Sequence, residues 1–496
     1  MTTNFKLLTT TILLSIMAFI ANSQDSTVYK SFKYSKGFFV TDFEYVLKEQ
    51  DPYIYTVERR VNNNMGYKET YSISKLDQDF SEVENNKFEV EYNGKKTNIF
   101  DVIYFNDKVC VISLYENKKD DVMTFLLSSF KMDDFSSIET KELFSYDKVN
   151  ENKDDYSIKK IRHSISHDSS KIGFFLLKPL LKSNPSEVDV VVVDNDLNTI
   201  SHGSHTLPKH ARYDGFESFE VSNKGNSYAL FKCRLADSLD VMYSNAVYSY
   251  NIFQFDDSNL KEHPLDLGDL FVSDIIMGIN RDNIPVVFGY YSLENHYKTS
   301  GFFYYNISDN SVKKNTLSDV YTTQLTNTNS NFIRYYSRVV YSDRNNQMYI
   351  IGQAHEVREE IVGDVKRRVD YYGDIIVTKL NHDGDVEWTK KLEKKFSSDS
   401  KSNKFIFHTG KSGFYIIYNQ QTNNINGAAK FLLVPKYEAR ISKVTTEGGV
   451  YTSILSELEG KSHYIDTNAS DDSSGSKKFV FMRVNNRKRH FGIITF

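Results

Sequence analysis

Short runs of Tyr, Phe, Ile and Val recur from Val28 to Phe496, each broken by a cluster of Asn, Asp, Gly or Lys. No stretch longer than about ten residues sustains the three-and-four spacing of an amphipathic helix, so the pattern predicts strands with little helix. The runs fall into groups that begin near Phe43, Phe100, Ile158, Phe216, Phe271, Tyr335 and Phe405. That spacing, roughly 50 to 70 residues, is at the long end of a propeller blade, which is one four-stranded antiparallel sheet.

Several groups resolve into four runs. In the second, Ile103-Tyr104-Phe105 is followed by Asn106-Asp107-Lys108, then Val109 to Leu114, Val122 to Phe130 and Ile138 to Phe144. In the sixth, Val339-Val340-Tyr341 and Met348 to Gly352 precede a long charged excursion, after which Asp374 to Leu380 meets Val386 to Leu392 across Asn381-His382-Asp383-Gly384. Asp-Gly between two β-rich runs is a strong hairpin signal, because the turn needs positive φ. The expected fold is therefore all-β, a β-propeller of about seven four-stranded antiparallel blades, with six or eight compatible with the spacing. A propeller must seal its last blade to its first or leave an edge open, which makes the run from Val28 to Val40 a candidate fourth strand for the last blade. In the alternative, the C-terminal hairpin of Phe479 to Val484 and His490 to Phe496 completes a blade alone.

The stretch Gly373 to Leu392, GDIIVTKLNHDGDVEWTKKL, resembles the outer hairpin of blades in secreted bacterial β-propeller proteins, where a strand ending in Lys-Leu and a polar Gly turn lead into a hydrophobic-x-Trp strand. The resemblance implies the fold and transfers no catalytic residue. Signatures of the WD and kelch types are absent, since the chain has a single Trp and no repeated Gly-Gly pair.

Composition sharpens the strand reading: 34 Tyr and 35 Phe against 9 Met suit half-buried pleated surfaces. A formal net charge of −4 gives no electrostatic reason to expect nucleic acid as a partner. Met1 to Ser23 reads as a secretory signal peptide, with Lys6, an apolar core from Leu7 to Ile20 and the small-residue site Ala21-Asn22-Ser23. The mature chain, 24–496, is then one exported propeller domain, secreted or periplasmic, without an integral membrane segment. Cys110 and Cys233 both lie in apolar runs and are expected to be buried, unpaired thiols.

Candidate chemistry is sparse. His202, His205 and His210, in SHGSHTLPKHA, could share a transition metal if a loop let them converge; without a carboxylate or thiol at ligand spacing they read as polar loop residues, and no cofactor is expected. There is no nucleophile elbow, and His355-Glu356 lacks the second His of a zinc protease helix. The charged excursion 356–370 is the expected recognition insertion, with Glu356, Arg358, Glu359, Glu360, Lys366, Arg367 and Arg368 as partner-binding residues for a protein or glycan. A long solvated hairpin is its plainer alternative. The polar stretch 466–478 has the composition of a mobile loop. Three functions stay open: a binding or scaffolding module, a propeller hydrolase of polysaccharide or peptide with paired carboxylates at the central funnel, and a structural protein of the cell envelope.

Overall fold

A computed structural model describes the strands and most turns between Lys30 and Thr495; residues 1–29, the longer connections (148–160, 179–186, 235–247, 318–333, 398–404, 423–436, 456–463 and 467–477) and several shorter stretches lie outside the described residues. The expected signal peptide, His210 and most of 466–478 fall there. Among the described residues there is no helix. Eight sheets carry the fold, seven of four strands and one with a short fifth, together with a small two-stranded hairpin. In chain order sheets 1 to 7 span 41–88, 98–147, 161–206, 212–265, 271–316, 334–397 and 405–454, each an up-and-down antiparallel meander. The eighth joins Tyr464–Asp466, Lys478–Asn485 and Lys488–Thr495 to the N-terminal strand Lys30–Tyr34, which pairs antiparallel with Lys488–Thr495. This is the topology of a β-propeller, with one sheet more than the seven group starts suggest.

The contacts divide the chain into two compact units, 86–403 and the combined segments 1–85 and 404–496. Within 86–403 the core lies between successive sheets. Ile112, Phe125 and Phe174 pack sheet 2 on sheet 3. Phe175, fully buried, sits among the rings of Phe216, Phe219, Phe231 and Phe255 between sheets 3 and 4. Tyr250, Ile275 and Phe303 join sheets 4 and 5, and Phe288, Tyr304 and Ile376 join sheets 5 and 6. Both faces of each inner sheet are therefore apolar, as in the continuous run Glu187–Asp194, EVDVVVVD, whose six central residues are all buried. Large rings bury the most apolar area per residue, about 1.5–3 kcal/mol for one fully buried Phe. The smaller unit has its own cluster, in which Ile417 and Ile441 of sheet 7 meet Ile465 of sheet 8.

One turn chemistry recurs at seven hairpins among the described residues. At 77–81, 194–198, 222–226, 280–284, 343–347, 381–385 and 445–449, an Asp, Asn, Ser or Thr opens the turn, and its backbone N–H and C=O close the hairpin. Its side chain accepts further backbone N–H bonds, as Asp343 does from Asn345 and Gln347 at 2.8 and 2.9 Å. The fourth position has positive φ, which Gly225 and Gly384 supply without strain and Asn283 and Asn346 tolerate. The asymmetry between sheet ends follows. In sheets 1 to 7 the first-to-second and third-to-fourth connections take five residues or fewer, and every longer connection leaves from the opposite end.

Candidate functional site

The expected recognition insertion is strand, with only 363–364 left between its two arms. Met348–Val362 and Val365–Leu380 stay in antiparallel register from Met348 opposite Leu380 out to Val362 opposite Val365. Their neighbours stop early: Arg334–Ser342 reaches His355, and Val386–Leu392 reaches Ile375. Beyond that point the two strands run on as a ribbon, and among the described residues Phe396–Ser397 is the strand that pairs with it, at Tyr371 and Tyr372. Its register sets Glu359 opposite Arg368 and Glu360 opposite Arg367, with Glu356 opposite Tyr371, Arg358 opposite Val369 and Lys366 opposite Ile361. The ribbon emerges from the end of sheet 6 that carries the longer connections. The charged excursion 356–370 is thus a two-stranded hairpin of sheet 6.

His202 and His205 do not converge, His210 lies outside the described residues, and 199–206 of the expected loop is a strand. His202 and His205 both lie on Thr199–Thr206, three residues apart, so the pleat sends them to opposite faces. His202 is exposed, whereas His205 is buried against the Phe255 ring, with its Nε2 unpartnered. Burial lowers the His205 pKa against the opposing pull of Asp189 and Asp256. No group of three or more His, Cys, Asp or Glu among the described residues could hold a metal ion. Cys110 and Cys233 are buried free thiols, and desolvation pushes Cys110 up to about 12.

What the sequence did not reveal is a polar chain along the first strands of sheets 2 to 6. Asp101 of sheet 2 lies 3.6 Å from His163 Nδ1 of sheet 3. The neighbouring Ser164 points the other way and donates to Glu220 of sheet 4 at 2.9 Å. Gly173, paired with Ser164, allows this approach, because a Cβ there would collide with Val221. Burial raises the Glu220 carboxyl to about 7 despite the Ser164 bond, and it lowers the His163 pKa while Asp101 pulls the other way. At the nearby turns the chain continues. Asp168 N–H donates to Asn223 Oδ1 at 3.1 Å, Asn223 N–H to Asn283 Oδ1 at 2.8 Å, and Arg281 N–H to Asn346 Oδ1 at 3.1 Å. His167 Nε2 of sheet 3 and Arg281 Nε of sheet 5 both reach the Ser342 carbonyl of sheet 6, at 3.2 and 3.4 Å. Turns of sheets 3 and 6 therefore meet within unit 86–403.

No family model matches the chain, and no curated protein matches it. Solved structures similar to it include the WD40 domain of SCAP from fission yeast, 9% identical over 96% of this chain and 97% of that one, with a TM-score of 0.40. The β-propeller domain of the Trilobed protease from Pyrococcus furiosus is 9% identical over 86% and 98%, at 0.37. An acylaminoacyl peptidase from Pyrococcus horikoshii is 12% identical over 78% and 59%, at 0.33. The class of this protein, a β-propeller, rests on its own strand order.

Proposed function

We propose that this protein is an exported β-propeller that acts as a binding or scaffolding module and engages a protein or glycan partner through the ribbon of residues 356–371. The observation that carries this reading is the length of that ribbon. Two strands with little sheet beside them are marginal in water, so pairing extended past His355 adds little to the fold, and residues a scaffold does not need are those free to serve recognition. Opposite charges at facing positions, Glu359 with Arg368 and Glu360 with Arg367, support the ribbon without help from a core. Replacing 356–371 with a two-residue turn is expected to leave thermal stability near wild type and to abolish cross-links from a photoreactive residue placed at Arg358 or Arg367 in the native cells. The absence of any adduct at either position would remove the reading. Export predicts a mature N-terminus at or near Gln24, read by intact mass; a chain recovered outside the cytoplasm and beginning at Met1 would overturn it.

A hydrolase is the second reading, favoured by a carboxyl that titrates near neutrality on a first strand. Turnover of a polysaccharide or peptide that Glu220→Gln abolishes while the protein stays folded would support it. A wild-type protein inert on both substrate classes would exclude it.

A further inference from the structure

We propose that the seams on either side of sheet 4 form a pH-sensitive latch: His205 and His263, neutral in the closed seams, keep the outer strands Thr199–Thr206 and Leu260–Leu265 packed, and their protonation in acid loosens both strands.

The two imidazoles occupy matching places. Each lies on the outer strand of its sheet, two positions before a buried leucine, Leu207 and Leu265. Register fixes the face, since residues opposite each other in a sheet share one. His205 is opposite Val188, which clusters with Phe253 and Phe255 of sheet 4, so it stands in the seam between sheets 3 and 4. His263 is opposite Ile252, which clusters with Tyr291 and Phe303 of sheet 5, so it stands in the seam between sheets 4 and 5. His205 is 7% exposed, with its ring 5.4 Å from that of Phe255. His263 is half-buried, and the Nε2 atom of each ring is buried without a hydrogen-bond partner. Gly203 makes room for the first, because a Cβ there would come within 2.4 Å of His205 Nε2.

A neutral imidazole tolerates such a place at the cost of one idle lone pair, whereas a proton added at Nε2 becomes a buried charge with no acceptor. The charged groups around the two rings differ. Facing His205 from sheet 4 are Glu262, which shares the face of Phe253, and the turn residues Asp256 and Asp257, the latter accepting the His202 N–H at 3.1 Å. Burial lowers the His205 pKa although Asp189 and Asp256 pull the other way, and Asp189 is itself held by Lys178 at 3.0 Å. Around His263 the charges are cationic: burial and then Lys261 lower its pKa, and Lys314, opposite Phe303, lies on the face of sheet 5 turned to sheet 4. An opened strand returns each histidine to the ordinary 6.5, so it binds the proton before the closed seam does. Closure is therefore unpenalised above that value. As pH falls below it, each imidazole favours opening by up to about tenfold per pH unit, until its closed-seam value is passed.

Glu220 responds to acid in the opposite sense, so a global melting temperature would mix the two effects, and a local readout separates them. Hydrogen exchange of the full chain at about pH 7.5 and about pH 5.5, corrected for the intrinsic pH dependence of amide exchange, supplies it strand by strand. Protection at 199–206 and 260–265 is expected to fall by up to about tenfold per imidazole at the lower pH. The outer strands Ser311–Thr316 and Val386–Leu392, which carry no histidine, should keep theirs. The double variant His205→Leu, His263→Leu should hold its protection at both pH values. Wild-type protection at either strand that follows the histidine-free strands would overturn the proposal whether or not the variant folds, and so would a folded double variant that loosens in acid as the wild type does.

Discussion

At the scale of single residues, Glu220 and the two cysteines carry consequences that their letters conceal. Glu220 in the folded chain titrates near 7, against an ordinary 4.5, because burial penalises its charge more than Ser164 relieves it. Below the ordinary value both folded and unfolded chains hold the proton, and no cost arises. As pH climbs from about 4.5 to about 7 the unfolded chain ionises first, so this residue subtracts stability across that window and holds the deficit constant above it. Glu220→Gln, whose amide oxygen still accepts from Ser164, is therefore expected to raise the melting temperature at pH 8 and to leave it unchanged near pH 4, as scanning calorimetry at both pH values will read. The two thiols behave as small apolar groups. A thiol reagent should find neither Cys110 nor Cys233 in the native protein and both after denaturation, since Cys110 is pushed up to about 12 and both are buried. Their burial was legible from the flanking Val-Cys-Val-Ile and Phe-Lys-Cys runs. The Ser164–Glu220 bond was not, because the partners lie 56 positions apart and nothing local to either residue encodes the other.

Among the elements, strand starts were the most legible feature. Six of the seven expected starts lie within first strands of sheets 1, 2, 4, 5, 6 and 7, and the seventh, Ile158, precedes the described start Ile161 by three residues. Period-two alternation and Asx-Gly turns are local signals, so sequence carries them. The charged excursion differs in form from what its letters suggest. Its Glu, Lys and Arg content suggests a loop, yet the strands continue through it, with Glu359 opposite Arg368 and Glu360 opposite Arg367 in the register. The histidines failed for the complementary reason: Gly203 and Pro208 suggested a loop, while the run Val188–Val193 next to them drew 199–206 into the sheet. The turn asparagines give an element-scale test. Asn283→Ala or Asn346→Ala removes the acceptor of the preceding sheet's turn, the Asn223 or Arg281 N–H, and forces a Cβ residue other than Asn into positive φ, so each should cost about 1–3 kcal/mol in urea denaturation. Asn346→Gly, which relieves φ but not the lost acceptor, should cost less.

For the whole molecule, the decisive joint is the eighth sheet. Deleting Lys30–Tyr34 strips the partner from Lys488–Thr495 and opens an edge, so the truncated chain should melt several degrees lower and aggregate on heating, with light scattering as the check. A truncated chain with wild-type melting would show that the N-terminal strand is dispensable. The same sheet explains why the spacing suggested seven groups where eight sheets exist. Its first strand, Tyr464–Asp466, is three residues long, and its fourth comes from the opposite end of the chain, so it leaves no periodic mark.

The sequence by itself determined the all-β class, the strand starts, the turns and the candidacy of the N-terminal run as a closing strand, because each follows from local periodicity, φ requirements and the need to cover an edge. Only the tertiary structure decided the number of sheets, the faces on which His202 and His205 stand, and the polar contacts between Asp101 and Asn346. Those depend on pairings between residues far apart in the chain, where the determining quantity is register and burial rather than residue type.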